Sequence, residues 1–131
     1  MAKSHQITAR RLGPNPAADA HMGTLSPLVI RMAGHAESQL QLAMNAVIRR
    51  DARTAARVSP GDHVLDDLQV QIDRQAQELL IRHRPSQANL HEILGAMRIA
   101  GDLERVGDYA ANIAKRVEPL AEFRDLPPIG A

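Results

Sequence analysis

The chain of 131 residues contains no cysteine and no tryptophan, and its only aromatic residues are Tyr109 and Phe123. The lack of cysteine excludes disulfides, thiolate metal sites and a cysteine nucleophile, and it fits a reducing compartment. With hydrophobic residues at 44% and aromatics at 2%, a core must come from Ala, Leu, Ile, Val and Met. That composition suits packed helices better than a β-sandwich. No apolar run is long enough to span a bilayer. The opening stretch "MAKSHQITARRLGPNPAADAHMG" has no signal-peptide hydrophobic core, so the expected compartment is the cytoplasm. Charge is almost balanced at +1: Lys3, Arg10 and Arg11 against Asp19 give residues 1–24 +2, which leaves −1 for the remainder. A near-neutral body gives no electrostatic case for a nucleic-acid partner.

Catalytic signatures are missing too. The sequence holds no HExxH, no GxSxG, no GxxxxGK[ST] and no GxGxxG. No Glu-x-x-His pair occurs, which argues against a ferritin-like di-iron enzyme. The chain is therefore not expected to be an enzyme.

What is present is helical periodicity. Residues 1–24 read as a flexible N-terminal arm, with "GPNPAADAHMGT" mixing Gly, Pro and Asn without any period. Order is expected to begin at Ser26-Pro27, a serine cap with proline in the first turn. Leu28, Met32, His35/Ala36, Leu40, Ala43/Met44 and Val47 then mark the buried stripe of a helix reaching about Asp51. "DARTAARV" continues as helix after a tight connection. In "SPGDHVLDDLQVQIDRQAQELLIRH", Ser59, Pro60 and Asp62 read as a helix start, and Leu65, Leu68, Ile72, Ala76, Leu79 and Leu80 as its stripe; Pro85 closes it. Ser86 caps a third helix that buries Leu90, Ile93, Met97, Ala100, Leu103, Val106/Gly107, Ala110, Ile113 and Val117, with Pro119 disfavouring continuation beyond about Glu118. Nothing alternates with period two for long enough to be a strand. The expected fold is all-α, an antiparallel three-helix bundle over residues 25–124 with a linker-like tail at 125–131.

One stretch carries more than packing. In "GDLERVGDYAANIAKR", Glu104, Asp108 and Asn112 follow at intervals of four, so their oxygens project from one helix face. Asp62 and Asp66 repeat that spacing on the second helix, with Asp73 further along. Two readings stand: a solvated acidic face, or two carboxylate pairs converging on a hard cation such as Mg²⁺, Mn²⁺, Ca²⁺ or Fe³⁺. His63 adjoins Asp62 but reads as an exposed residue at a helix start. The basic cluster Arg49, Arg50, Arg53 and Arg57 reads as a solvated patch near a helix end. Gly101 and Gly107 sit inside the third helix, where small residues admit a neighbouring helix or a bound ion.

"LERVGDYAANIAKR" resembles the signature of the PhoU family of accessory and regulatory proteins of phosphate-specific transport. "GDHVLDDLQVQID", "RMAGHAESQLQLAMNAVIRRD" and "RPSQANLHEILGAMRIAGDLER" are similar to the other elements of the same repeat, and the resemblance covers about residues 28–118. It implies one three-helix repeat of a kind that typically occurs in tandem. It implies a metal face at Asp62, Asp66, Glu104 and Asp108, with Asn112 one turn on, for Mg, Mn, Fe or Zn. It further implies a cytoplasmic adaptor between the ATPase subunit of a phosphate ABC transporter and a phosphate-sensing histidine kinase, repressing the phosphate-starvation response. The sequence departs from the family pattern in four places: a single repeat, with "LPPIGA" like the start of a connection to a second; Pro60-Gly61 within a helix that is usually continuous; Gln69 where an acid is common; and the arm around Gly13-Pro14-Asn15-Pro16. A lone repeat is expected to pair with itself as a homo-oligomer. The alternatives are a helical self-association module or inert half-repeat without metal or signalling role, and a metal-storage or redox protein.

Overall fold

The computed structural model describes residues 23–58, 61–123 and 130, with side chains from His63 onward in the second of these stretches. The expected arm falls almost wholly, and the tail mostly, outside the described residues. So do Ser59, Pro60 and the side chain of Asp62. Among the described residues there are five helices and no strand: α1 (Leu25–Arg49), α2 (Ala52–Ala56), α3 (Gly61–Arg82), α4 (Gln87–Lys115) and α5 (Val117–Ala121). The long helices α1, α3 and α4 make the expected all-α bundle. The most extensive packing is between α1 and α4, and α3 lies against both. Leu79 of α3 shares a cluster with Leu25 of α1 and Ile93 of α4, so α3 runs opposite to the other two.

Helix ends follow local chemistry, with three corrections to the reading above. α1 starts one residue before Ser26, with Thr24 at the cap position and no side-chain cap bond; Ser26 and Pro27 lie in the first turn. There the missing proline N–H is among the donors a helix leaves unpaired anyway. α1 stops at Arg49 because Arg50 takes the left-handed conformation, φ 50° and ψ 42°. Asp51 then caps α2, accepting from the Arg53 backbone N–H at 2.9 Å and from the Thr54 hydroxyl at 2.9 Å. Ser86 caps α4 as expected, its Oγ accepting from Asn89 N–H at 3.2 Å. Pro119 does not end the helical region: α4 closes at Lys115 and Pro119 sits in the first turn of α5.

The core is in two parts. The larger joins Leu25, Leu28, Met32 and Ala36 of α1 to Leu65, Leu68, Ile72, Ala76 and Leu79 of α3 and Ile93 and Ala100 of α4. The smaller is mostly alanine and joins Ala43 and Ala46 to Ala55, Val58, Ala110, Ala114 and Val117. Alanine here lets α2 and α5 close over the end of the α1–α4 pair. The stripe of α1 passes through Gln39, which is buried, and turns Leu40 outward. Leu80, also expected inside, is likewise exposed, because the stripe of α3 runs through Leu79.

Candidate functional site at the α3–α4 seam

The side of α4 that meets α3 begins with two glycines. A Cβ at Gly107 would collide with Leu65 Cδ1, the tip of a buried side chain, so a methyl here requires Leu65 to shift. A Cβ at Gly101 would reach Gln69 Nε2 at 3.9 Å, an ordinary contact. One turn from each glycine along this seam stands Glu104. It is half-buried, whereas Asp66 and Asp108 are exposed.

Glu104 and Asp66 meet carboxyl to carboxyl. The hydrogen bond with Asp66 holds the proton on Glu104 and, with burial and repulsion from Asp66, Asp108 and Asp73, pushes its pKa from 4.5 up to about 7. Glu104 Oε2 is buried without a hydrogen-bond partner. An orphaned carboxylate oxygen is costly in a protein interior unless a proton or a cation reaches it. The seam is thus a set of carboxyl oxygens that repel one another and are short of positive charge.

Of the sequence-derived set, Asp66 and Glu104 are brought together, and Asp108 is near enough for its charge to act on Glu104. Asn112 is exposed one turn beyond Asp108. Among the described residues no group of three or more His, Asp or Glu side chains is gathered as a ready metal cage. Asp73 is the member that spacing did not promote to the site. It lies seven residues from Asp66, two turns along the same face of α3, and that heptad interval was the available signal. Gln69 sits between them on that face. The buried amide oxygens of Gln39 and Gln75 also lack partners and had no sequence signal at all.

A family model described as the PhoU domain matches residues 29–117. The chain is 39% identical over 109 residues to a protein of Xylella fastidiosa (strain Temecula1 / ATCC 700964), covering 83% of this chain and 45% of the relative. It is 42% identical over 98 residues to one of Caulobacter vibrioides (strain NA1000 / CB15N), covering 75% and 43%. With one of Rhizobium meliloti (strain 1021) it shares 37% over 105 residues, covering 80% and 44%. All three relatives carry the name phosphate-specific transport system accessory protein PhoU homolog. The chain therefore spans less than half the length of these curated relatives. No solved structure matches it.

Proposed function

The chain belongs to the PhoU family, and from that premise we propose that it is a non-catalytic accessory adaptor of phosphate-specific transport. The observation that carries this reading is the family match across residues 29–117, which takes in all of α3 and α4 and nearly all of α1. In this reading the chain works in the cytoplasm. It docks through helix surfaces on the ATPase subunit of the phosphate ABC transporter and on a phosphate-sensing histidine kinase, and it holds the phosphate-starvation response down. Among the described residues no helix is long and apolar enough to cross a membrane.

The α3–α4 seam is the regulatory element of the proposal. Asp66, Glu104 and Asp108 hold a divalent or trivalent cation, with Asp62 and Asn112 as the flanking oxygen donors and Asp73 as added negative charge. A bound cation supplies the positive charge that lets Glu104 and Asp66 ionise together. The carboxyls themselves then fix α3 against α4 and set the shape of the docking face. The chain also self-associates.

The test is a phosphate-starvation reporter in a strain that lacks any full-length homologue. Wild type is expected to repress when phosphate is plentiful, and Glu104→Gln with Asp108→Asn is expected to repress less while remaining folded. A wild type that does not repress sinks the adaptor reading in favour of an inert half-repeat. Normal repression by the folded double variant returns the acid row to a solvated face.

A further inference from the structure

The two parts of the core meet at a weak boundary. On α1 the larger cluster ends at Ala36 and the smaller begins at Ala43. Between them Gln39 is buried with its Oε1 unpartnered. On α4 the larger cluster ends at Ala100 and the smaller begins at Ala110, while Leu103 and Val106 pack back against the larger. The buried residue between these ends is Gly107, which has no side chain to give. An amide and a glycine thus stand where a continuous core would carry large apolar side chains.

The two sides of that boundary are not equally strong. The larger cluster is built mainly of Leu, Ile and Met from three long helices. The smaller has five alanines and two valines. Alanine buries a single methyl, so this end gains less from burial. Among the described residues α2 and α5 pack on α1, on α4 and on each other, and neither packs on α3. Even the packing on α4 is incomplete. An open gap of about 410 Å³ is lined by Ala52, Ala55 and Ala56 of α2 and by Ala111 and Ala114 of α4.

Local structure at this end is equally conditional. α2 and α5 have five residues each, too few to persist as helices in water without packing. The chain enters α2 through Arg50, whose left-handed backbone is strained for a residue with a Cβ. Letting α2 go releases that strain. The Arg50 guanidinium reaches the Phe123 carbonyl at 3.3 Å, so the start of α2 is tied to the residues after α5. That bond is exposed, where water competes for both partners.

We propose that α2 and α5 form a latch that opens as one unit while α1, α3 and α4 stay packed through the larger cluster. The two short helices let go together because each packs on the other and Arg50 joins them. Opening uncovers the alanine-lined ends of α1 and α4 and takes support from the last turns of α4, where Asn112 stands beyond the acid seam. The latch goes beyond the adaptor reading and needs neither a cation nor a partner chain.

Native-state hydrogen exchange of the full chain reads such an opening. The Ala55 amide donates to the Asp51 carbonyl, the Val58 amide to the Ala55 carbonyl and the Phe123 amide to the Leu120 carbonyl, so all three report on the latch. They are expected to share one protection, roughly tenfold or more below that of Ile72 and Ala100, with a weaker response to urea. Two variants identify what moves. Ile72→Val weakens the closed and the latch-open forms alike, because both keep the larger cluster. It is expected to speed exchange at Ala100 by about threefold or more and to leave Ala55 and Phe123 unchanged. Val58→Ala weakens only the closed form, and it is expected to speed Ala55 and Phe123 by the same factor although they belong to different segments. Equal protection at Ala55 and Ala100 overturns the latch, because the chain then opens only as a whole. Ile72→Val speeding Ala55 as much as Ala100 overturns it too, because the bundle then opens with α2. Val58→Ala that speeds Ala55 and leaves Phe123 unchanged overturns the joint opening and leaves two ends that fray separately.

Discussion

Glu104 of α4 and Asp66 of α3 face each other as two acids sharing one hydrogen bond, and the proton that joins them is held up to about pH 7. The consequence for stability has a definite sign. The folded state binds this proton more tightly than the unfolded chain, whose glutamate titrates near 4.5. The contribution of Glu104 is therefore fully present below about pH 4.5 and is lost as pH rises through about 7. Thermal melts between those limits are expected to show a melting temperature that falls with pH. Glu104→Gln, which keeps a donor toward Asp66 without a titrating proton, is expected to flatten that fall and to exceed wild type above pH 7. An unchanged slope in the variant would place the titrating group elsewhere.

Cation and proton compete for the same oxygens. Binding of Mn²⁺ or Mg²⁺ at the seam is expected to raise the melting temperature above pH 7 and to weaken as pH falls below it. Below pH 7 binding is expected to release a proton from Glu104. Calorimetry in two buffers of different ionisation enthalpy reads that proton directly. The same heat in both buffers at pH 6 would mean that the ion does not displace it. Asp66→Asn is expected to lower affinity by removing one ligand charge.

The glycines of α4 separate packing from propensity. Gly101→Ala meets only Gln69 Nε2 at ordinary contact distance and is expected to stabilise the chain by up to about 1 kcal/mol. Gly107→Ala drives a methyl into Leu65 and is expected to destabilise by roughly 1–3 kcal/mol despite the same gain in propensity. Pairing Gly107→Ala with Leu65→Ala should recover part of the loss. Urea denaturation of the three variants gives the comparison, and a stable Gly107→Ala chain would mean that α3 and α4 are not held in this register.

Much of this was legible in the sequence because helical period and caps are local. The stripe Leu65, Leu68, Ile72, Ala76, Leu79 and the Ser86 cap needed only neighbours a few residues apart. The misses came from non-local packing. Leu40 and Gln39 compete for the same turn of α1, and hydropathy favours leucine; the positions of α3 and α4 decide for glutamine. The four-residue spacing of Glu104 and Asp108 put both on one face. It could not say that Glu104 would be half-buried against Asp66 while Asp108 stayed in solvent, since that depends on how α3 packs against α4. Asp73 went unchosen for the same reason.

Arg50 offers the last prediction, in the turn between α1 and α2. It is the only non-glycine residue with positive φ among the described residues, at φ 50°. A left-handed backbone strains a residue with a Cβ by roughly 1–2 kcal/mol. The chain keeps arginine there, and the guanidinium donates to the Phe123 carbonyl at 3.3 Å, tying the segment after α5 to the end of α1. Its backbone N–H also bonds the Val47 carbonyl at 3.2 Å, closing α1 whatever the side chain. Arg50→Ala keeps the strain and loses the tie. Arg50→Gly relieves the strain and loses the tie. The glycine variant is therefore expected to be more stable than the alanine variant by about 1 kcal/mol. Both variants are expected to speed amide exchange across α5 relative to wild type, because both release the contact to Phe123. Chemical denaturation gives the first comparison and hydrogen exchange the second. Equal stabilities for glycine and alanine would mean that the α1–α2 turn is not left-handed in solution. Unchanged exchange in α5 would mean that the arginine serves the turn and not the segment beyond it.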